Sequence, residues 1–129
     1  MTRSPDVPRQ PRRMEGSAFD PPRSVRMSDE LWHRFQQAAT REGVTSSFAL
    51  AVLAREYGAG RLIPRSVTRC TGRVRSARIS DEVWDALKAQ AERSGVLPSW
   101  AIVGLAEEYA DGFITIRITI TTKQALDHE

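Results

Sequence analysis

Residues 23–32 read RSVRMSDELW, and residues 75–84 read RSARISDEVW. The offset, 75 − 23 = 52, runs without a gap to Gly60 and Gly112. Along it Gly43, Val44, Ser47, Leu53, Ala54, Glu56 and Tyr57 recur as Gly95, Val96, Ser99, Leu105, Ala106, Glu108 and Tyr109. So many matches in one register mark a tandem repeat of one small unit. A unit of about 40 residues is close to the size below which a chain rarely folds alone. The two repeats are therefore expected to share one core.

The quoted stretch holds the local signals of a strand followed by a capped helix. In Ser24-Val25-Arg26-Met27 and in Ser76-Ala77-Arg78-Ile79 apolar and polar residues alternate, the period of a strand with one covered face. Val25, Met27, Ala77 and Ile79 face inward on this reading, and Ser24, Arg26, Ser76 and Arg78 outward. One short strand leaves its backbone groups unpaired, and the obvious partner is the other copy. Strand 24–27 is expected antiparallel to strand 76–79 in the same chain, with Ser24 and Arg26 facing Ser76 and Arg78; the alternative is exchange between chains, so that two chains make two such domains.

Ser28 and Ser80 then suit helix N-caps, and the acids Asp29, Glu30, Asp81 and Glu82 suit the positive end of a helix dipole. Leu31, Phe35, Ala38 and Ala39 fall on one helical face, and Gly43 closes that helix in the left-handed region, with Val44 beyond it. Val83, Leu87, Ala91, Gly95 and Val96 repeat the pattern. A second helix opens at Thr45-Ser46-Ser47 and runs to Tyr57. It and its copy are apolar almost all round, so the two second helices are expected to pack against each other at the centre of a pseudo-symmetric pair. Trp32 and Trp84 read as core or rim packing.

Outside the repeats the composition changes. Residues 1–22 carry five prolines and several arginines with few apolar residues, the signature of a disordered arm. Residues 61–73 form a basic linker: from Gly58 to Ser80 there is no acid, while Arg61, Arg65, Arg69, Arg73, Arg75 and Arg78 are all basic. After Gly112 comes FITIRITITT, whose alternating isoleucines predict a strand within a C-terminal segment, 113–129. The organisation expected is an arm (1–22), repeat one (23–60), the linker (61–73), repeat two (74–112) and the strand with its tail.

The 129 residues carry a net charge of +3 and a sequence pI of about 9.6, a mild basic bias that permits nucleic acid as a partner. A single cysteine, Cys70, excludes a disulfide framework and suits a reducing cytoplasm. No apolar run approaches a membrane span. Neither a phosphate loop, nor paired catalytic carboxylates, nor a nucleophile elbow occurs. The expectation is a protein that is not an enzyme, with no catalytic residues, no metal and no cofactor.

Strand, helix, helix, given twice as SVRMSDELW with GVTSSFALAVLAREY and SARISDEVW with GVLPSWAIVGLAEEY, resembles the ribbon-helix-helix family of DNA-binding proteins, of the Arc and MetJ type. Two copies in one chain resemble the single-chain TraY type found among conjugation accessory proteins. The resemblance implies a mainly α fold with a short β-ribbon, two tandem ribbon-helix-helix units sharing one core, in a monomeric pseudo-dimer able to associate further on DNA. It implies sequence-specific binding of double-stranded DNA through the ribbon in the major groove, by a transcriptional repressor or a plasmid or phage accessory factor. The base readers implied are Ser24, Arg26, Ser76 and Arg78, with Pro22 and Val74 next in line. Phosphates would be held at the second-helix N-termini by Thr45, Ser46, Ser47 and Ser99, with Leu97 and Pro98 replacing two hydroxyls in the copy. The basic residues Arg61, Arg65, Arg69, Arg73 and Arg75 would add further phosphate contacts. The alternative is a protein-interaction module, such as an antitoxin that holds a toxin with residues 113–122.

Overall fold

A computed structural model describes residues 19–65, 67 and 70–117. Residues 1–18 of the expected arm, Arg69, and the tail from residue 118 lie outside this set. The element order is β1 (Pro22–Met27), α1 (Asp29–Arg41), α2 (Ser46–Gly58), β2 (Arg73–Arg78), α3 (Asp81–Ser94) and α4 (Pro98–Ala110). The fold is mainly helical, with one two-stranded antiparallel sheet. The strands are longer than the alternation predicts and take in Pro22 from the expected arm and Arg73 from the expected linker.

The sheet pairs Pro22 with Arg78, Arg23 with Ala77, Ser24 with Ser76, Val25 with Arg75, Arg26 with Val74 and Met27 with Arg73. Ser24 and Ser76 are repeat counterparts and also directly opposite, so the local two-fold axis of the ribbon passes between them. The arginines consequently do not face one another. Arg26 lies opposite Val74 and Arg78 opposite Pro22, at diagonal ends of the ribbon.

The helix ends form as their residues dictate. The Ser28 and Ser80 hydroxyls accept the amides of Leu31 and Val83 at 3.1 and 3.2 Å. Gly43 and Gly95 adopt φ of 76° and 74°, and the amides of Val44 and Val96 beyond them close onto Ala39 O and Ala91 O. The Thr45 hydroxyl accepts the Phe48 amide at 3.0 Å, whereas Leu97, at the matching place before α4, supplies no side-chain cap. Leu97 is 54% exposed, so little burial is at stake there. Leu97→Thr is expected to stabilise the protein by about 1 kcal/mol, read as a higher denaturant midpoint at unchanged slope.

One apolar cluster draws buried residues from all six elements. Along α2, Ala49 to Ala54 and Tyr57 are all buried, and α4 is covered to the same degree. The second helices do touch, but the broader packing is crosswise: α2 lies chiefly on α3, and α1 chiefly on α4. Each half thus buries its apolar surface mainly against the other. Gly58 allows the closest of these approaches, because a Cβ there would stand 3.0 Å from the Leu87 backbone nitrogen. Its counterpart is Ala110. Among the described residues no helix is long and apolar enough to cross a membrane.

Candidate nucleic-acid interface

Burial along the ribbon follows its alternation. Val25, Met27 and Ala77 are buried, and Ser24, Arg26, Ser76 and Arg78 are exposed on the opposite face, with Pro22 and Val74 completing it. The four base readers implied by the resemblance therefore share one surface: a low centre of two serines, with an arginine at each diagonal end. Each of those arginines is steadied at the far end of the partner strand. Arg26 Nη1 donates to Gly72 O at 3.0 Å, and Arg78 Nη1 donates to Asp20 O at 3.2 Å. A guanidinium has five N–H donors, so one bond to a carbonyl leaves the rest available.

The start of α2 stands at the Arg78 end. Ser47 Oγ accepts the Arg78 amide at 2.9 Å, which joins the helix start to β2. Thr45 and Ser47 each accept one amide, and their hydroxyl hydrogens remain free to donate. The amides of Ser46 and Ser47 lie in the first turn, where no intrahelical acceptor exists. Thr45, Ser46, Ser47 and Arg78 are thus brought into one corner. At the other end α4 packs against β1. Pro98 begins that helix with no N–H to offer, and Ser99 follows it. No bond from Ser99 matches that of Ser47 among the described residues.

The linker arginines go elsewhere. Arg61 makes a two-point ion pair with Glu56 at 2.6 and 3.0 Å, and that hydrogen bond holds the Glu56 carboxyl below its usual range. Glu56 lies nine residues beyond Ser47, roughly 13 Å along α2 and away from the ribbon. Arg65 lies over the Phe113 ring at 4.8 Å, just beyond the end of α4. Neither is at the ribbon face. Arg73 is exposed at the start of β2, 3.5 Å from Asp29.

Arg75 faces inward. Its guanidinium donates to Met27 O at 3.2 Å and to the Asp29 carboxylate, and it lies over the Trp32 ring. The Arg75 hydrogen bond, reinforced by the Arg73 charge, holds the Asp29 carboxyl below its usual range. Arg23 does the same on the other side, donating to Ile79 O at 3.1 Å and to Asp81, over Trp84. The sequence groups Arg75 with the linker arginines as a phosphate contact and gives Arg23 no role. The alternation that sends Ser24 and Ser76 outward sends both arginines to the covered face, and this was the signal that could have found them.

The C-terminal segment is described as far as Arg117, and up to there it forms no strand. Ile114 and Ile116 pack against the core, and the Ile116 amide donates to both Glu42 carboxylate oxygens at 3.0 and 3.2 Å. Tyr109 Oη donates to the same carboxylate at 2.7 Å. Burial, with the Glu42 charge and hydrogen bond, raises the Tyr109 hydroxyl above its ordinary pKa. The first repeat cannot copy this clasp, since Ser94 replaces Glu42 and Pro64, with no N–H, replaces Ile116. Tyr57 Oη, the counterpart of Tyr109 Oη, is buried with no hydrogen-bond partner among the described residues. The later part of the expected strand, 118–122, lies outside the described residues.

No family model, curated protein or solved structure matches the chain.

Proposed function

We propose that this chain is a tandem ribbon-helix-helix pseudo-dimer that binds double-stranded DNA sequence-specifically, with the outer face of β1 and β2 in the major groove. One observation carries the reading: Ser24, Arg26, Ser76 and Arg78 share an exposed face, and the α2 N-terminus is fastened to the end of that face through Ser47. Two strands about 4.8 Å apart fit a groove roughly 12 Å wide. Arginine can contact guanine O6 and N7 with two N–H groups, serine can donate or accept, and Val74 can meet a thymine methyl. The Ser46 and Ser47 amides with the Thr45 and Ser47 hydroxyls suit a flanking phosphate, which would set the depth and register of the ribbon. Such a protein would serve as a repressor or as an accessory factor at a plasmid or phage site.

Selection from random duplexes with the full chain tests the reading. The expected result is one enriched site with a near-palindromic centre, bound at least about 1,000-fold more tightly than random duplex at physiological salt. Recovery of unenriched sequences would count against it. Arg61→Ala is expected to leave both specific and random affinities nearly unchanged, since Glu56 already engages that side chain. A uniform loss with a flatter salt dependence would instead place Arg61 on a phosphate.

A further inference from the structure

The inward arginines of the ribbon are not needed for the apolar core, and a guanidinium turned toward a core is costly unless it is paired. Arg23 and Arg75 are only 19% and 13% exposed at their side chains, and each guanidinium makes two hydrogen bonds to the other half. Each lies over a tryptophan ring, bonds the backbone carbonyl that follows or ends the opposite strand, and pairs with the aspartate that opens the helix after that strand.

Two features separate this from ordinary surface pairing. Every bonding partner of Arg23 lies in the second repeat, and every such partner of Arg75 lies in the first. The two assemblies are also related by the offset of 52: Arg23 matches Arg75, Asp81 matches Asp29, Ile79 matches Met27, and Trp84 matches Trp32. Each arginine thus ties its strand to the strand end and helix start of the other half, and the two ties lie at opposite ends of the ribbon, one on each side of the serine pair.

Resting on the DNA-binding reading, we propose that Arg23 and Arg75 are positioning residues: with Asp81 and Asp29 they form two braces, one at each end of the ribbon, that fix it over the helices, so that Arg26 and Arg78 are presented at a set height and spacing. The braces do not touch DNA. Their effect is on discrimination, because readers displaced by a fraction of an ångström lose their geometry with the bases while the overall positive field remains.

The carboxylates give the cleanest test, because Asp29 and Asp81 are themselves mostly exposed. Asp29→Asn with Asp81→Asn removes two negative charges and leaves every arginine in place. A simple charge effect would raise affinity for all duplexes. Brace loss is expected instead to raise or hold affinity for random duplex while lowering it for the selected duplex, so that their ratio falls about tenfold or more. Arg75→Lys provides a second arm. Lysine keeps the charge but loses the planar fork, so the ratio is expected to fall while the salt dependence stays unchanged.

Parallel gains on both duplexes, or an unchanged ratio in Arg75→Lys, would overturn the proposal. Unfolding curves accompany each variant, and loss of a cooperative transition would make the pair a determinant of folding, which also overturns the positioning role. If the unaltered chain itself shows no preference between duplexes, the DNA-binding reading fails and the proposal falls with it. That outcome is seen in the wild-type measurement alone and is not confused with a failure confined to the variants.

Discussion

Replacing Arg26 and Arg78 together by alanine is expected to cost roughly 30- to 20,000-fold in affinity for the selected duplex, from two contacts worth about 1–3 kcal/mol each. Random duplex should lose far less. The two side chains are at diagonal ends of the ribbon and share no partner: Arg26 bonds Gly72 O and Arg78 bonds Asp20 O. Their losses should therefore add, and each single variant should relax base preference on its own side of the site. Binding titrations against the selected duplex, two half-site mutants and random DNA check this. Equal losses on all four would mean that these arginines serve as general cationic contacts and that the ribbon face does not read bases.

The largest effect on stability is expected at Gly72. The residue has φ of 95°, and a Cβ there would lie 2.6 Å from Met27 O and 2.7 Å from Ser28 Cα. Those atoms are backbone at the end of β1 and at the cap of α1, so they cannot rotate away. Gly72→Ala combines an unfavourable φ with a backbone clash and is expected to cost about 3 kcal/mol. For a domain of this size that lowers the melting temperature by roughly 10 °C or more. Gly43→Ala is the control. Its φ is also positive, 76°, but nothing lies within 4 Å of the added Cβ, so the cost should be only about 1 kcal/mol. Thermal unfolding of both variants separates the contributions, and equal losses would show that the close approach at Gly72 relaxes without cost.

Much of this arrangement was legible because each signal is local. Ser28 and Ser80, each followed by two acids, favour a helix start through their own side chains, and Gly43-Val44 and Gly95-Val96 favour the matching stop. The repeat pointed to the second copy as the partner of the first strand, and the sheet pairs the two copies of one chain. What alternation could not supply was register: the opposition of Ser24 to Ser76, and of Arg26 to Val74, depends on where the two-fold axis crosses the ribbon, which is settled by the packing of α2 on α3 and α1 on α4. Charge was also misleading. Arg75 sits in a run of arginines, which suggests a phosphate contact, although its place in the strand puts it beside Ala77 on the covered face. The isoleucines after Gly112 suggest a strand for the same kind of reason. Alternation reports which side chains are covered, and Ile114 and Ile116 are indeed packed inward, but it does not say what the backbone bonds to. Here the Ile116 amide finds the Glu42 carboxylate.

Both strands of the ribbon belong to one polypeptide, and this changes what a single mutation can accomplish. In an assembly of identical subunits every codon is expressed on both sides of the axis, so any improvement on one side is imposed on the other. In this chain Pro22 and Val74 have already diverged, as have Thr45 and Leu97, Glu42 and Ser94, and Ile116 and Pro64. The serines on the axis have not. Each flank can change by itself, and on the proposed reading a duplex with two unlike halves lies one substitution at a time away from a symmetric one.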